Sequence, residues 1–230
     1  LPWNDPANWP GKTYDPPVSD YTATLLADKA SIVIIGGQTA AGDLVGMGSV
    51  QVFNTSLRSW LSKVRPHASR PAARPGSQFC HSQNTTGPIP HPRMGHVAVA
   101  LPSGAILVHG GVGADGTPVD TVNILTPPTD LAAANKPWTW STAYLGTHSL
   151  AAPARAWHTA TLTPDGTIVV AFGIDDKDGS PSANLFFLHL DAQHHCTWNN
   201  TFTPEAVKVY NPRVSPPRSE ERRVGKECSQ

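Results

Sequence analysis

The chain is patterned as short apolar runs that end in glycine and alternate with polar turns. One run, SIVIIGG at 31–37, returns as AILVHGG at 105–111 and as TIVVAFG at 167–173. A second short run precedes each of them, and its sequence TATL is identical at 22–25 and 159–162. Turns rich in Pro, Ser, Asp and Gly join the two runs, a pattern typical of antiparallel hairpins.

Each repeat continues with a third apolar run and then a fourth that carries tryptophan. The third runs cover residues 49–54, 119–126 and 183–191, and the fourth cover 60–63, 138–143 and 197–202. Repetition at this length means that one supersecondary unit has been copied and stacked. The sequence therefore predicts an all-β fold of about three four-stranded antiparallel sheets.

Polar residues also recur at fixed positions in the second and third repeats. Arg93 and His96 return as Arg155 and His158, and each histidine lies 15 residues before the glycine that closes its repeat. Histidine suggests a metal site or a catalytic role. Equal placement in two repeats instead favours a structural role, and we expect each histidine to form a hydrogen bond near the start of a strand.

A strand that ends in Gly-Gly, followed by a strand and then a tryptophan, resembles the kelch repeat, which forms one blade of a β-propeller. The resemblance covers about residues 21–202. The whole chain is similar to extracellular kelch propellers of fungal proteins in the galactose oxidase central-domain superfamily. It departs from the pattern where Tyr21 occupies the histidine position of the first repeat and where Phe172 replaces the first glycine of the third.

This resemblance implies a division of the chain into blades and connecting segments. The predicted blades cover 21–66, 93–145 and 155–203, the connecting loops cover 67–92 and 146–154, segment 1–20 is compatible with a preceding blade, and 204–217 is a C-terminal segment. The residues assigned to building the blades are Gly36, Gly37, Gly110, Gly111, Gly173, His96, His158, Arg93, Arg155, Trp60, Trp140 and Trp198.

Proline makes up 23 of the 230 residues, which suits many turns and disfavours long helices. The only predicted helices are short, around 129–135 and 205–210. No apolar run approaches the roughly 18–20 residues that span a membrane. The chain does not begin with methionine, so we expect it to be a fragment or a processed product.

The last residues differ in character from the rest. The sequence at 218–228, RSEERRVGKEC, reads as the translation of a common short-read sequencing adapter, so 218–230 are predicted to be an artefact. A solvated charged tail is the alternative. Basic and acidic residues balance at 17 each and stay close to balance without the tail. This balance gives no electrostatic reason to expect nucleic acid or an anionic membrane as a partner.

Cysteines and glycosylation sequons bear on the compartment. Outside the tail the cysteines are Cys80 and Cys196, which leaves open a disulfide, partners in missing sequence, or free thiols. Sequons for N-glycosylation occur at Asn54, Asn84 and Asn199, of which Asn84 is the best candidate. Together these features favour an extracellular or cell-surface location. The resemblance to kelch propellers of fungal membrane proteins is compatible with a parent protein that is anchored in a membrane by a segment missing here.

The irregular segments of the chain are predicted to gather at one end of the sheets, because the second-to-third strand loops and the links between repeats lie on the same side. Loops held by a rigid scaffold often carry binding. The binding-face candidates are Gln38, Asp115, Asp175, Asp176 and Asp178. The three carboxylates at 175–178 lack the spacing of a calcium loop, and the run HHC at 194–196 is interpreted as a polar turn rather than a zinc or copper site.

The enzyme alternative comes from the namesake of the superfamily. Galactose oxidase holds copper with two histidines and two tyrosines, one of them cross-linked to cysteine, and its adjacent Tyr-His ligand pair is absent here. No cofactor and no metal are therefore predicted. The leading hypothesis is a non-catalytic module that binds protein or glycan. The alternatives are a fragment of a copper radical oxidase and an intracellular kelch scaffold.

Overall fold

The computed structural model describes residues 18–61, 82–131, 136–147, 149–175 and 179–200. Within these ranges every regular element is a strand, and the predicted all-β fold class is confirmed. The strands are β1 (Val18–Ser19), β2 (Thr22–Leu25), β3 (Ser31–Ile35), β4 (Gln38–Thr39), β5 (Val50–Asn54), β6 (Ser59–Trp60), β7 (Ser82–Gln83), β8 (Thr85–Thr86), β9 (Val97–Ala100), β10 (Ile106–His109), β11 (Val122–Thr126), β12 (Trp138–Thr142), β13 (Tyr144–Leu145), β14 (Arg155–Ala156), β15 (Thr159–Leu162), β16 (Ile168–Ala171), β17 (Ile174–Asp175), β18 (Leu185–Leu190) and β19 (His195–Asn199).

Each sequence repeat contributes four strands to an antiparallel sheet. The first sheet has the order β2-β3-β5-β6, the second β9-β10-β11-β12, and the third β15-β16-β18-β19. Neighbouring strands follow one another along the chain, so short turns join most of them. The turn residues act as their types predict: in the β2–β3 turn, the Asp28 carboxylate accepts hydrogen bonds from the backbone N–H groups of Ala30 at 2.9 Å and Ser31 at 2.8 Å.

Short strands from the connecting segments complete the outer edges of the sheets. β8 pairs in parallel with β12, β13 pairs in parallel with β19, and β7 pairs with β5 beside β6. The prediction of residues 67–92 as a loop is therefore wrong for β7 and β8. Residues 144–145 belong by hydrogen bonding to the third sheet rather than to the second. The added strands pair backbone groups that an edge strand would otherwise leave unpaired.

The observed strands are shorter than the predicted runs. The run at 119–126 forms a strand only from Val122, because the Val119 N–H donates to the carbonyl of Gly111 in the preceding loop. Of the predicted helix at 129–135, residues 129–131 are not helical, and 132–135 lie outside the described residues. The second predicted helix, at 205–210, also lies outside them. No helix among the described residues is long and apolar enough to cross a membrane.

The three sheets stack face to face around two hydrophobic cores. Strand β10 shows how, because alternate side chains of a strand point to opposite faces. Ile106 and Val108 pack into the core shared with the first sheet, whereas Leu107 packs into the core shared with the third. All four residues of β10 are buried. In the outer sheets one face is less covered: β3 alternates buried and half-buried residues, with Ile32 and Ile34 half-buried.

The first strands of the three sheets come together on one side of the stack. β9 lies against β2 on one side and against β15 on the other. At the ends of these strands, β1 pairs with β4 and β14 pairs with β17. We call this end, where the strand-two-to-strand-three loops and the links between repeats emerge, the loop end, and the opposite end, with the hairpin turns, the turn end.

Candidate functional site

The first glycine of each Gly-Gly pair lies under the histidine of the following sheet. A Cβ on Gly36 would lie 2.6 Å from Cε1 of His96, and a Cβ on Gly110 would lie 2.6 Å from Cε1 of His158. Both glycines have positive φ, at 63° and 70°. The glycines thus leave the space that the histidines fill, and the pair of repeated residue types forms one contact between sheets.

The second glycine of each pair approaches its own sheet's first strand. A Cβ on Gly111 would lie 2.9 Å from Cβ of His96, and a Cβ on Gly173 would lie 2.7 Å from Cβ of His158. In the first repeat Gly37 lies under Tyr21 in the same way. The departure at Phe172 falls where no following sheet is described, and Phe172 is exposed.

The two repeated histidines form hydrogen bonds between sheets. His96 Nε2 lies 3.0 Å from Oγ1 of Thr22, and His158 Nε2 lies 3.1 Å from Nδ1 of His109. Burial, with a smaller contribution from the positive charge of Arg93, lowers the pKa of His96 to about 3. Burial and the charge of Arg155 lower the pKa of His158 to about 4 in the same way. Burial also holds the pKa of His109 well below its usual value, with a further contribution from His158. These imidazoles are neutral at ordinary pH.

The repeated arginines tie strand ends to the loops. Arg93 Nη1 donates to the Gly110 carbonyl at 3.2 Å and to Thr121 Oγ1 at 2.8 Å. Arg155 Nη1 donates to the Phe172 carbonyl at 2.7 Å, and its Nη2 donates to Ser182. Both side chains are buried, and desolvation lowers the pKa of each.

The tryptophans of the fourth strands fill the cores. Trp140 is buried and its Nε1 donates to the Met47 carbonyl of the first sheet at 3.2 Å. Trp198 is buried against His109, with ring centroids 4.9 Å apart. Trp60 is half-buried and meets Phe53 edge to face.

The HHC run at 194–196 is not wholly a turn as predicted. His194 is in the turn with φ of 64°, but His195 and Cys196 belong to β19. Nδ1 of His195 lies 2.9 Å from the Asp191 carboxylate, whereas Cys196 is a buried free thiol whose pKa is raised by burial. Among the described residues no group of three His, Cys, Asp or Glu side chains could hold a metal ion.

The remaining sequence candidates lie apart from one another. Asp115 is exposed and accepts hydrogen bonds from Thr117, and Asp175 lies in β17 opposite Arg155. Asp176, Asp178 and Cys80 lie outside the described residues. Of the sequon residues, Asn84 is exposed, Asn199 is half-buried, and half-buried Asn54 accepts a turn hydrogen bond from the Leu57 N–H.

A cluster at the loop end, in which only Trp157 is exposed, contains Gln38 and three residues from equivalent positions of the repeats, directly before Tyr21, His96 and His158. These three are Asp20, Gly95 and Trp157, and with Gln38 we call them the Trp157 cluster. Trp157 Nε1 donates to Asp20 Oδ1 at 3.1 Å across 137 positions of sequence, and Gln38 Nε2 donates to Asp20 Oδ2 at 3.0 Å. Backbone hydrogen bonds link the three repeats here: Gly95 N–H to Asp20 carbonyl and Trp157 N–H to Gly95 carbonyl.

The backbone of this cluster is left-handed at all three repeat positions. The φ angles are 54° at Asp20, 62° at Gly95 and 49° at Trp157. Such angles are costly for a bulky residue and concentrate at functional positions. The repeated backbone geometry therefore holds Trp157 in a conformation that a bulky residue rarely adopts.

One face of the Trp157 indole lies on Gly95, and much of the side chain is exposed to solvent. Its atoms Cε2, Nε1 and Cδ2 lie within 2.8–3.0 Å of the position a Cβ on Gly95 would take, so a ring face covers the glycine. The residue is 47% exposed. Hydrogen bonds from Trp157 and then Gln38 lower the pKa of the Asp20 carboxyl, which is therefore ionised. The cluster presents an aromatic face beside a fixed negative charge.

Sequence reasoning did not single out Trp157 or Asp20 as binding residues. Gln38 was identified, but only as one residue of a loop. The signal that was available is the contrast inside the repeat: Arg and His recur three residues apart, while the position directly before the histidine changes from Gly to Trp.

Comparisons with known proteins identify no family for this chain. No profile of a protein family matches it, and no curated protein matches it at a significant level. Solved structures do match, among them one titled "Structure of YjhT", with 11% identity and a TM-score of 0.49. That match covers 80% of this chain and 45% of the other, so this chain spans less than half of that protein's length. The similarity is too low to indicate a function.

Proposed function

We propose that the chain is about three blades of a kelch-type β-propeller and acts as a non-catalytic module that binds protein or glycan at its loop end. The face-to-face stacking of three four-stranded sheets supports the propeller assignment. So does the position of β9 between β2 and β15, since the first strands of propeller blades surround a common axis.

The observation that carries the binding proposal is the Trp157 cluster. The repeated histidines and arginines have structural roles: His96, His158, Arg93 and Arg155 are buried and hold the sheets and loops together. Trp157, by contrast, is a large aromatic residue at the loop end, exposed and fixed in orientation by a hydrogen bond and by Gly95. Rigid aromatic residues are the usual anchors of binding sites.

A binding screen tests the proposal. The 230-residue chain is tethered to a biosensor surface at low density and exposed to glycan and peptide panels. The ligands that bind should lose most of their affinity for the Trp157→Ala variant. Tyr144→Ala is the matched control, since Tyr144 is an exposed aromatic residue of β13 at the outer edge of the third sheet. Equal losses in both variants, or no loss in Trp157→Ala, would contradict binding at the loop end.

The same preparation separates this function from its alternatives. A copper radical oxidase would produce peroxide from sugar alcohols after copper loading, and we expect no such activity. We also propose a secreted or cell-surface location. The exposed side chain of Asn84 supports this proposal because it is accessible to glycosylation. Peptide mapping of the protein from its native source should find glycan on Asn84, and an unmodified Asn84 throughout would favour an intracellular scaffold.

A further inference from the structure

We propose that the Trp157 cluster is a binding subsite for an organic cation, a guanidinium or alkylammonium group, which packs on the open face of Trp157 and pairs with Asp20. This inference rests on the proposed function, because it names the ligand chemistry of the same loop end. Its basis is the combination of an aromatic face, a carboxylate and the distribution of charge.

The aromatic face is the first element. One face of the Trp157 indole is covered by Gly95, yet the residue is 47% exposed, from which we infer that the opposite face is accessible to a ligand. Tryptophan is the aromatic side chain that attracts cations most strongly, and Arg and Lys groups bind over its face. The Nε1 hydrogen bond to Asp20 fixes the ring, so a ligand would not have to order it on binding.

The hydrogen-bonding inventory of the cluster is the second element, and it favours a cation over a sugar hydroxyl. The indole N–H and one amide N–H of Gln38 already donate to Asp20, and Ser19 Oγ donates to it as well at 3.1 Å. The group that remains available to a ligand is mainly the ionised carboxylate of Asp20, which can accept further hydrogen bonds. A guanidinium or ammonium group carries only donors and a positive charge, and it matches this inventory.

The third element is the charge at the loop end. Among the described residues, the exposed basic side chains, Lys29, Arg58 and Lys136, all lie at the turn end, together with four carboxylates, Asp28, Asp130, Asp165 and Asp191. The carboxylates at the loop end are Asp20, Asp43, Asp115, Asp120 and Asp175. The two arginines described there, Arg93 and Arg155, are buried. The described part of the loop end therefore carries more negative than positive charge, which favours a cation over an anion as the ligand of this cluster.

The test measures binding of an arginine-rich peptide to the tethered 230-residue chain, with the same peptide carrying citrulline in place of arginine as the neutral counterpart. We expect the arginine peptide to bind and the citrulline peptide to bind much more weakly. Trp157→Ala and Asp20→Asn should each weaken binding of the arginine peptide by roughly threefold to tenfold. Added salt should weaken it further because the site is exposed.

Two variants control for indirect effects. Asp43→Asn removes an exposed carboxylate of the same end that is not part of the Trp157 cluster, and its effect should be small. Trp157→Phe keeps a ring but loses the hydrogen bond to Asp20, and it should retain part of the affinity. Urea unfolding of each variant shows whether the fold is intact, and Asp20→Asn, which keeps an acceptor for Trp157, remains informative if Trp157→Ala does not fold.

Competition identifies the source of the cation. If arginine amide or tetramethylammonium displaces the peptide, the subsite takes a small cation. If neither does and the citrulline peptide still fails to bind, it takes a cationic side chain in the context of a protein. Equal binding of the arginine and citrulline peptides, or unchanged binding in both Trp157→Ala and Asp20→Asn, would overturn the inference. Loss of glycan binding in Trp157→Ala together with either result would leave the proposed function standing.

Discussion

Mild acid should destabilise this protein strongly because its sheets are joined through neutral, buried histidines. His96, His109 and His158 all have pKa values lowered by burial, to about 3 for His96 and about 4 for His158. In the unfolded chain they titrate near the ordinary value of 6.5. As the pH falls below 6.5, the unfolded chain binds protons that the folded protein does not bind, so the free energy of unfolding decreases.

The magnitude follows from the interval between the two pKa values. At about pH 5 the unfolded state is protonated at each site while the folded state is not, and the interval of about 1.5 pH units corresponds to about 2 kcal/mol per histidine. His96 and His158 together give about 4 kcal/mol, a large part of the stability of an ordinary domain, and the lowered pKa of His109 acts in the same direction. The lowered pKa values of the carboxylates lie below this window, since their ordinary value is 3.8.

The geometry explains why the histidines cannot simply accept the proton. His109 Nδ1 and His158 Nε2 face each other at 3.1 Å, so one must donate and the other accept. Protonating the acceptor would bring two N–H groups together in a buried place. The contribution of each histidine is fully present above pH 6.5 and is lost as the pH falls toward the folded-state value.

Urea unfolding followed by tryptophan fluorescence, at submicromolar protein concentration and a series of pH values, measures this directly. His96→Gln and His158→Gln should each lower the free energy of unfolding at neutral pH. In each variant the decrease in that free energy between about pH 7.5 and pH 5 should be about 2 kcal/mol smaller than in the unchanged protein. His91→Gln, the same change at an exposed histidine, is the matched control. A free energy of unfolding that stays flat over this range, or one whose slope is the same in all the variants, would refute the reasoning.

Two further predictions concern packing. Gly110→Ala should destabilise the protein by about 3 kcal/mol or more, because a Cβ there meets His158 and the Arg155 carbonyl. Gly104→Ala is the control: Gly104 also has a positive φ but open space around it, so the change should cost only about 1–2 kcal/mol of backbone strain. Equal losses of stability in urea unfolding would count against the contact. The outer face of the first sheet carries Leu25, which is 52% exposed, beside the half-buried Ile32 and Ile34, so the purified chain should self-associate through this apolar face. A stable monomer at micromolar concentration in sedimentation velocity would contradict this.

The three sheets could be predicted from the sequence because their signals are local. Alternating apolar residues and turn residues such as Asp28 act over a few positions, and three copies of one pattern reinforce one another. The repeated Gly36, Gly110, His96 and His158 were expected to have structural roles for the same reason. Edge strands such as β8 and β13 were missed, since two-residue segments carry no period and are strands only because a sheet edge lies beside them.

The sequence by itself determined the repeat, the strands and the left-handed positions that need glycine. Only the tertiary structure decided which groups meet: His158 with His109, 49 positions away, and Trp157 with Asp20, 137 positions away. The repeat pattern places each of these residues within its own sheet. The partner of His158 comes from the neighbouring second sheet, and the partner of Trp157 comes from the first repeat. The stacking of the sheets therefore determines both contacts. The Trp157 cluster exists because stacking brings one position of three repeats to the same end, and that convergence depends on long-range contacts that no local pattern encodes.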